Sequence, residues 1–191
     1  MNSPHRSPAG GWKTLDRRVA YSGRVVISEH TVELPNGEQS TFEVDESIPY
    51  AVAVLIVDAD HNVFLARQYR YAIDQWIYDL PGGAGHREET VEAAARRECE
   101  EETGLVPRRL EHLHTFYPNP GRSAWPAHLF LARTTHIGAA DVSDPAEQVT
   151  TVTIPLEELD ALIRAGRIVD PGLLLARMYA GLKGALPNIT A

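Results

Sequence analysis

The segment from Leu80 to Leu105, LPGGAGHREETVEAAARRECEEETGL, constrains this chain more than any other. Thr90 to Thr103 reads as a helix, with Thr90 suited to cap its start and Gly104 to end it. Counted at 100° per residue from Val91, Ala94, Ala95 and Cys99 fall within about 80° of it, a face meant for a protein interior. Glu98 and Glu102 fall about 20° either side of Val91, in the middle of that face, and Glu101 falls at its edge. An ionised carboxylate loses several kcal/mol on leaving water without a partner. Two of them four residues apart on one helix also repel each other. No Lys or Arg shares the stripe, so compensating charge must come from elsewhere. Divalent metal ions are the natural source, because hard cations take oxygen ligands.

The remainder of the chain is enough to bury such a helix. With 191 residues, 43% of them hydrophobic, it can form one well-covered domain with a small extension. Residues 1–11 (MNSPHRSPAGG) have no apolar core of a secretory signal and read as a disordered lead. No apolar run approaches the roughly 20 residues that span a bilayer. Cys99 is the single cysteine, which excludes an internal disulfide framework and fits a reducing, cytoplasmic setting. Its place on the apolar face makes it a small core residue. A formal net charge of −8 argues against nucleic-acid binding. A phosphorylated substrate remains compatible if metal ions neutralise the contact.

Taken in order, Trp12 to Tyr21 mixes basic and apolar residues with no firm period. Arg24–Glu33 and Gln39–Asp45 read as strands joined by the Pro35-Asn36-Gly37 turn, an N-terminal hairpin region spanning 12–48. Ala51–Val57 is apolar on both faces, as a central strand should be. Val63–Arg70 and Trp76–Asp79 follow as strands, and Pro81-Gly82-Gly83-Ala84-Gly85 as a loop into the first helix. Arg109–Tyr117, His128–Arg133 and Val149–Ile154 are further strands; His112 and His114 would share one strand face, without a third zinc ligand nearby. The polar stretch from Thr134 to Ala146 is long for a plain connection, and such loops are often functional. Leu156–Ile163 gives a second helix ended by Gly166, and Asp170-Pro171 opens a third through Leu182. Strands, helix, strands and helices make an α+β, sandwiched α/β domain over 49–185 with a mixed sheet, leaving 186–191 as a tail.

The glycine-rich run lies between strand and helix, where phosphate-binding loops lie, but completes neither a P-loop nor a dinucleotide fingerprint. The helix carries far more information. Gly83, Glu89 and Arg97-Glu98-Cys99-Glu100-Glu101-Glu102-Thr103-Gly104-Leu105 resemble the Nudix box, G-x5-E-x7-R-E-U-x-E-E-x-G-U with U apolar, at every fixed position. That resemblance implies an α/β/α sandwich and metal-dependent hydrolysis of a nucleoside diphosphate linked to another moiety. It implies two or three Mg²⁺ or Mn²⁺ ions held by Glu98 and Glu102, with Glu101 beside them and the Gly82 carbonyl contributing. Arg97 would orient these carboxylates through a pair with Glu89 or Glu101, and Gly104 would close the motif.

The likeness extends beyond the box. Leu34-Pro35-Asn36-Gly37, Phe64-Leu65-Ala66-Arg67-Gln68-Tyr69-Arg70, Asp79-Leu80-Pro81-Gly82-Gly83, His128-Leu129-Phe130-Leu131-Ala132 and Gly166-Arg167-Ile168-Val169-Asp170 are similar to the ADP-ribose pyrophosphatase subfamily, as is Pro120 beyond the box. By that resemblance the substrate is ADP-ribose, cleaved to AMP and ribose 5-phosphate, with GDP-mannose, UDP-glucose or another nucleotide sugar as the alternative. Arg70 would contact substrate phosphates, and Gly83, Ala84 and Pro120 would line the substrate. Glu147, on the loop before the last strand, matches the glutamate that handles the attacking water; Asp144 and then a box glutamate such as Glu101 are the alternatives. Trp12 and Tyr21 are candidates for the nucleobase, in a homodimer built through the N-terminal strands. A non-catalytic ADP-ribose sensor would tend to lose box glutamates, and Glu98, Glu101 and Glu102 are all present. Three positions depart from the subfamily's pattern: Trp125 stands where a glutamate is common, Asp79 replaces the glutamate before Leu-Pro, and Pro171-Gly172 replaces a small residue with lysine or threonine.

Overall fold

The computed structural model describes residues 11–105, 107, 109–134 and 149–189. The chain forms two compact units, one comprising residues up to Ser47 together with Asn119–Trp125, the other Ile48–Pro118 and the chain from Pro126 onward.

The first unit is a three-stranded antiparallel sheet of β1 (Lys13–Ser22), β2 (Val26–Glu33) and β3 (Gln39–Asp45), in that order. β2 and β3 form the expected hairpin. β1 is a strand where the sequence shows no period, and the reason is physical. All ten of its residues are exposed, so neither face selects for alternation, and its pairing with β2 is broken by two register shifts. Asn119–Trp125 closes onto the end of β3: the Asp45 N–H donates to the Arg122 carbonyl at 2.7 Å, and Trp125 Nε1 donates to Asp45 Oδ2 at 3.2 Å.

The second unit holds a seven-stranded mixed sheet. β10 (Val149–Pro155), β5 (Asn62–Arg70), β4 (Ala51–Asp58), β9 (Ala127–Thr134) and β8 (Leu110–Phe116) lie in that order, with β6 (Gln75–Asp79) on β5 and β7 (Gly82–Ala84) on β4. Only β4 and β9 pair in parallel among these strands. Successive residues of β4 serve opposite cores, which is why its sequence is apolar throughout. Val52, Val54 and Ile56 pack with Phe64, Phe130 and the Ala94, Ala95 and Cys99 face of α1 (Val91–Thr103). Leu55 and Val57 pack with Leu65, Leu129, Leu159 of α2 (Leu156–Arg164) and Leu173 of α3 (Pro171–Leu182). The result is the expected α/β/α sandwich.

Two local readings change. Gly82–Ala84 is a short strand rather than a loop, paired with Ala51–Ala53. His112 and His114 do not share a face, because a register shift between them inserts one extra residue into β8. His112 lies against Phe130, on the α1 side, whereas His114 stacks on Tyr179 of α3 at 3.9 Å between ring centroids. Between α3 and α2, the fully buried Arg177 is held by two 2.7 Å bonds to Asp160, one to each carboxylate oxygen. No helix among the described residues is long and apolar enough to cross a membrane.

Candidate active site

The carboxylate helix is placed by its two ends and by the glycines before it. Thr90 Oγ1 accepts from the Ala93 N–H at 3.2 Å, and Gly104, at φ 68°, ends α1 with its N–H on the Glu100 carbonyl. β7 lies so close to β4 that a Cβ on Gly82 would stand 2.2 Å from the Val52 carbonyl oxygen. This close approach carries the Gly82–Gly83 backbone up to α1. The Gly82 N–H donates to Glu102 Oε2 at 3.0 Å, and a Cβ on Gly83 would lie 2.6 Å from Glu98 Oε2. Glu98 and Glu102 therefore converge on the same two glycines, as their helical phase requires. Behind them, Tyr50 packs under Gly85 and donates its hydroxyl to the Glu89 carbonyl at 2.7 Å, fixing the approach to α1.

Arg97 is the hub of the charge network. Its Nε and Nη2 take the two oxygens of Glu89 at 3.1 and 3.0 Å, a bidentate pair, and Nη2 also donates to the Ala84 carbonyl at 3.1 Å. Nη1 reaches Glu98 Oε1 at 2.7 Å and Glu101 Oε2 at 3.0 Å. Both partners expected of Arg97 are thus engaged, and Glu98 is a third. The helical wheel leaves the inward stripe without a cation; the long Arg97 side chain supplies one by reaching round from the adjacent position. Burial raises the Glu98 pKa, partly opposed by Arg97. Glu89 is held below the usual carboxylate range by its Arg97 bonds, and the guanidinium is raised in turn, chiefly by Glu89. The Cys99 thiol is pushed up to about 12 by burial, as an inert core residue should be.

Among the described residues no three Asp, Glu, His or Cys side chains stand together at metal-ligand spacing. Two carboxylates do converge, on Gly82–Gly83. Their hard oxygen donors suit Mg²⁺ or Mn²⁺; Glu101, beside Glu102 on the same helix, is bonded to Arg97. The Gly82 N–H bonds Glu102, and its carbonyl is the atom that the family resemblance implies as a metal ligand.

The other expected residues are distributed unevenly. Arg70, at the end of β5, bonds through Nη2 to Asp79 Oδ2 and stays about half exposed. Trp12, Tyr21 and Pro120 belong to the first unit; Trp12 lies 5.0 Å from Phe42 between ring centroids, and both aromatic residues are more than half exposed. Glu147 and Asp144 lie outside the described residues. Sequence reasoning overlooks Tyr50, the Ala84 carbonyl as an anchor for Arg97, and Thr151, whose hydroxyl donates to the Glu102 carbonyl at 3.1 Å. No pattern marks these, because a backbone acceptor carries no side-chain signature.

Comparison with known proteins agrees with this geometry. The model of the NUDIX domain matches residues 48–174. The ADP-ribose pyrophosphatase of Bacillus subtilis (strain 168) is 32% identical over 176 residues, covering 91% of this chain and 95% of that protein. The CMP-5'-(N-acetyl-N-hydroxy-3-aminopropyl)phosphonate hydrolase of Streptomyces rubellomurinus is 34% identical over 179 residues, covering 91% and 84%. A crystal structure of an ADP compounds hydrolase superposes with a TM-score of 0.75 at 20% identity, over 95% of this chain and 100% of that one. With an acidic helix face closed on a glycine pair, and a family match across most of its length, the chain belongs to the Nudix hydrolases and is similar to their ADP-ribose pyrophosphatases.

Proposed function

We propose that this protein hydrolyses the pyrophosphate bond of ADP-ribose, giving AMP and ribose 5-phosphate. The observation that carries the reading is the convergence of Glu98 and Glu102 on Gly82–Gly83, in a chain similar over nearly its whole length to an ADP-ribose pyrophosphatase. Glu98 and Glu102, joined by Glu101, would hold Mg²⁺ or Mn²⁺, in the family's complement of two or three ions. When bound, such ions neutralise phosphoryl oxygens and acidify the attacking water. The residues of the chain divide the rest. Arg97 keeps the carboxylates oriented and prevents their mutual repulsion from spreading them apart. Arg70 contacts a substrate phosphate, and Glu147 accepts the proton of the water that attacks phosphorus as the bridging P–O bond breaks.

The Streptomyces relative names a CMP-linked phosphonate, which favours a second reading: the same cleavage on another nucleotide conjugate. Product release measured on ADP-ribose, GDP-mannose and UDP-glucose with Mg²⁺ separates the two. ADP-ribose is expected to give the highest kcat/KM, and a higher value for either sugar nucleotide moves the assignment to it. Glu147→Gln in the same assay is expected to lose kcat with its Mg²⁺ dependence retained; an unchanged kcat removes Glu147 from the role.

We also propose a homodimer built through the N-terminal strands. Among the described residues β1 pairs only with β2, and Val19 and Tyr21 are exposed at 58% and 57%, apolar side chains that a second chain would cover. Sedimentation at micromolar concentration is expected to show a dimer. A monomer there overturns it.

A further inference from the structure

We infer that Thr151 is a positioning residue for the metal site: its hydroxyl fixes the backbone of Glu102, so that the carboxylate stands ready beside Gly82. The inference rests on the reading of Glu102 as a metal ligand. Glu102 is the last residue but one of α1, where a helix is held least by its own bonds. The last four carbonyls of an α-helix have no partner within it, and a final turn left to water frays. Glu98 lies one turn deeper. Two carbonyls near the end are served from within the segment: the Thr103 hydroxyl donates to Cys99 at 2.6 Å, and the Gly104 N–H donates to Glu100 at 2.8 Å. The Glu102 carbonyl is met from another element. Thr151 Oγ1, on β10, donates to it at 3.1 Å.

The sheet explains why Thr151 reaches that carbonyl. β10 pairs with β5, with Thr151 opposite Ala66 and Val152 opposite Leu65. Val152 and Leu65 pack in the core beneath α2 and α3, so strand alternation turns Thr151 to the α1 side. Glu102 is thereby held at both ends of its side chain. Thr151 fixes the carbonyl beside its Cα, and the Gly82 N–H fixes Oε2 at 3.0 Å. The two points belong to different strands of one sheet, β10 on β5 and β7 on β4. With both ends fixed, the torsions between them have little room to vary. A ligand placed before its ion arrives leaves less ordering to be done on binding. Loss of the Thr151 bond should therefore weaken the hold on the ion while leaving the charge of the site unchanged.

Thr151→Val is the informative variant, because valine keeps the branched shape and the strand preference and removes only the hydroxyl. Thr151→Ser is its partner, keeping the hydroxyl and losing the methyl. Mn²⁺ uptake by the substrate-free protein, followed through the paramagnetic resonance signal of the free ion, reads affinity without turnover. Thr151→Val is expected to raise the Mn²⁺ Kd about tenfold, the low end of the range for groups that support metal ligands, since it acts on backbone. Thr151→Ser should bind as the native protein does. In turnover, Thr151→Val should need correspondingly more Mg²⁺ for half-maximal rate, with kcat at saturating Mg²⁺ and KM for ADP-ribose close to native. In the metal-free protein, exchange of the Gly104 amide hydrogen, which closes the last turn, should quicken in Thr151→Val and not in Thr151→Ser. A native Mn²⁺ Kd or native Gly104 exchange in Thr151→Val overturns the proposal. So does an equal loss of affinity in Thr151→Ser, which would clear the hydroxyl. A metal-free Tm that collapses in Thr151→Val also overturns it, giving Thr151 to the fold. If the native protein takes up no Mn²⁺, or Glu102→Gln takes it up unchanged, the reading of Glu102 as a ligand falls, and this role falls with it.

Discussion

Glu102→Gln is expected to lower kcat for pyrophosphate hydrolysis by about 10²–10³-fold or more, the scale on which charge-stabilising groups act in such sites. The protein should stay folded. Glutamine has the shape of glutamate and keeps an oxygen to accept the Gly82 N–H, now met at 3.0 Å, so the link between β7 and α1 survives. The change removes one negative charge from the convergence of Glu98 and Glu102, and with it the reason for a divalent cation to bind there. It also removes an i,i+4 repulsion from α1, so the metal-free Tm should rise slightly or stay level. The measurements are kcat against Mg²⁺ concentration and thermal unfolding in chelator. Near-normal, Mg²⁺-dependent turnover in Glu102→Gln would show that the inward carboxylates do not hold the metal. Loss of activity together with a collapsed Tm would show that Glu102 serves the fold instead.

How far the sequence exposes this molecule depends on which residues have a buried face. β4 is legible from AVAVLIV because both of its sides are core, and α1 because Thr90 and Gly104 mark its ends. β1 is illegible because all ten of its residues are exposed, so no residue type is excluded from any of its positions. The His112–His114 face fails for a different reason: an inserted residue changes the parity of a strand without any compositional trace. In the site, the phase of Glu98 and Glu102 is a property of one helix and survives folding unchanged. The partners of Arg97 are legible only in part. Glu89 and Glu101 follow from the motif, but the bond to Glu98 depends on a side chain curling back onto its neighbour. Asp170, by contrast, is legible: its capping role is written in Asp170-Pro171, and its side chain accepts the Leu173 N–H at 2.6 Å.

The glycines test whether the site is held by backbone or by side chain. In Gly82→Ala the new methyl would lie 2.2 Å from the Val52 carbonyl oxygen and 2.7 Å from Ala53 Cα, both backbone atoms of the central strand. β4 is packed from both sides and cannot retreat, so β7 must part from it, withdrawing the Gly82 N–H from Glu102. Overpacking of this kind costs about 1–3 kcal/mol, which at this chain length corresponds to a Tm loss of roughly 2–12 °C. Activity should fall further than stability, because the displaced strand carries the backbone on which both carboxylates converge. Gly83→Ala makes the contrast. Its methyl would meet the Glu98 carboxylate tip at 2.6 Å, and a side-chain tip can swing aside where a strand cannot. That variant should keep its Tm within a few degrees and need more Mg²⁺ for half-maximal rate. If Gly82→Ala unfolds and turns over like the native protein, the close approach of β7 to β4 does not build the site. If Gly83→Ala behaves the same way, the position of Glu98 beside that glycine is not what binds the metal.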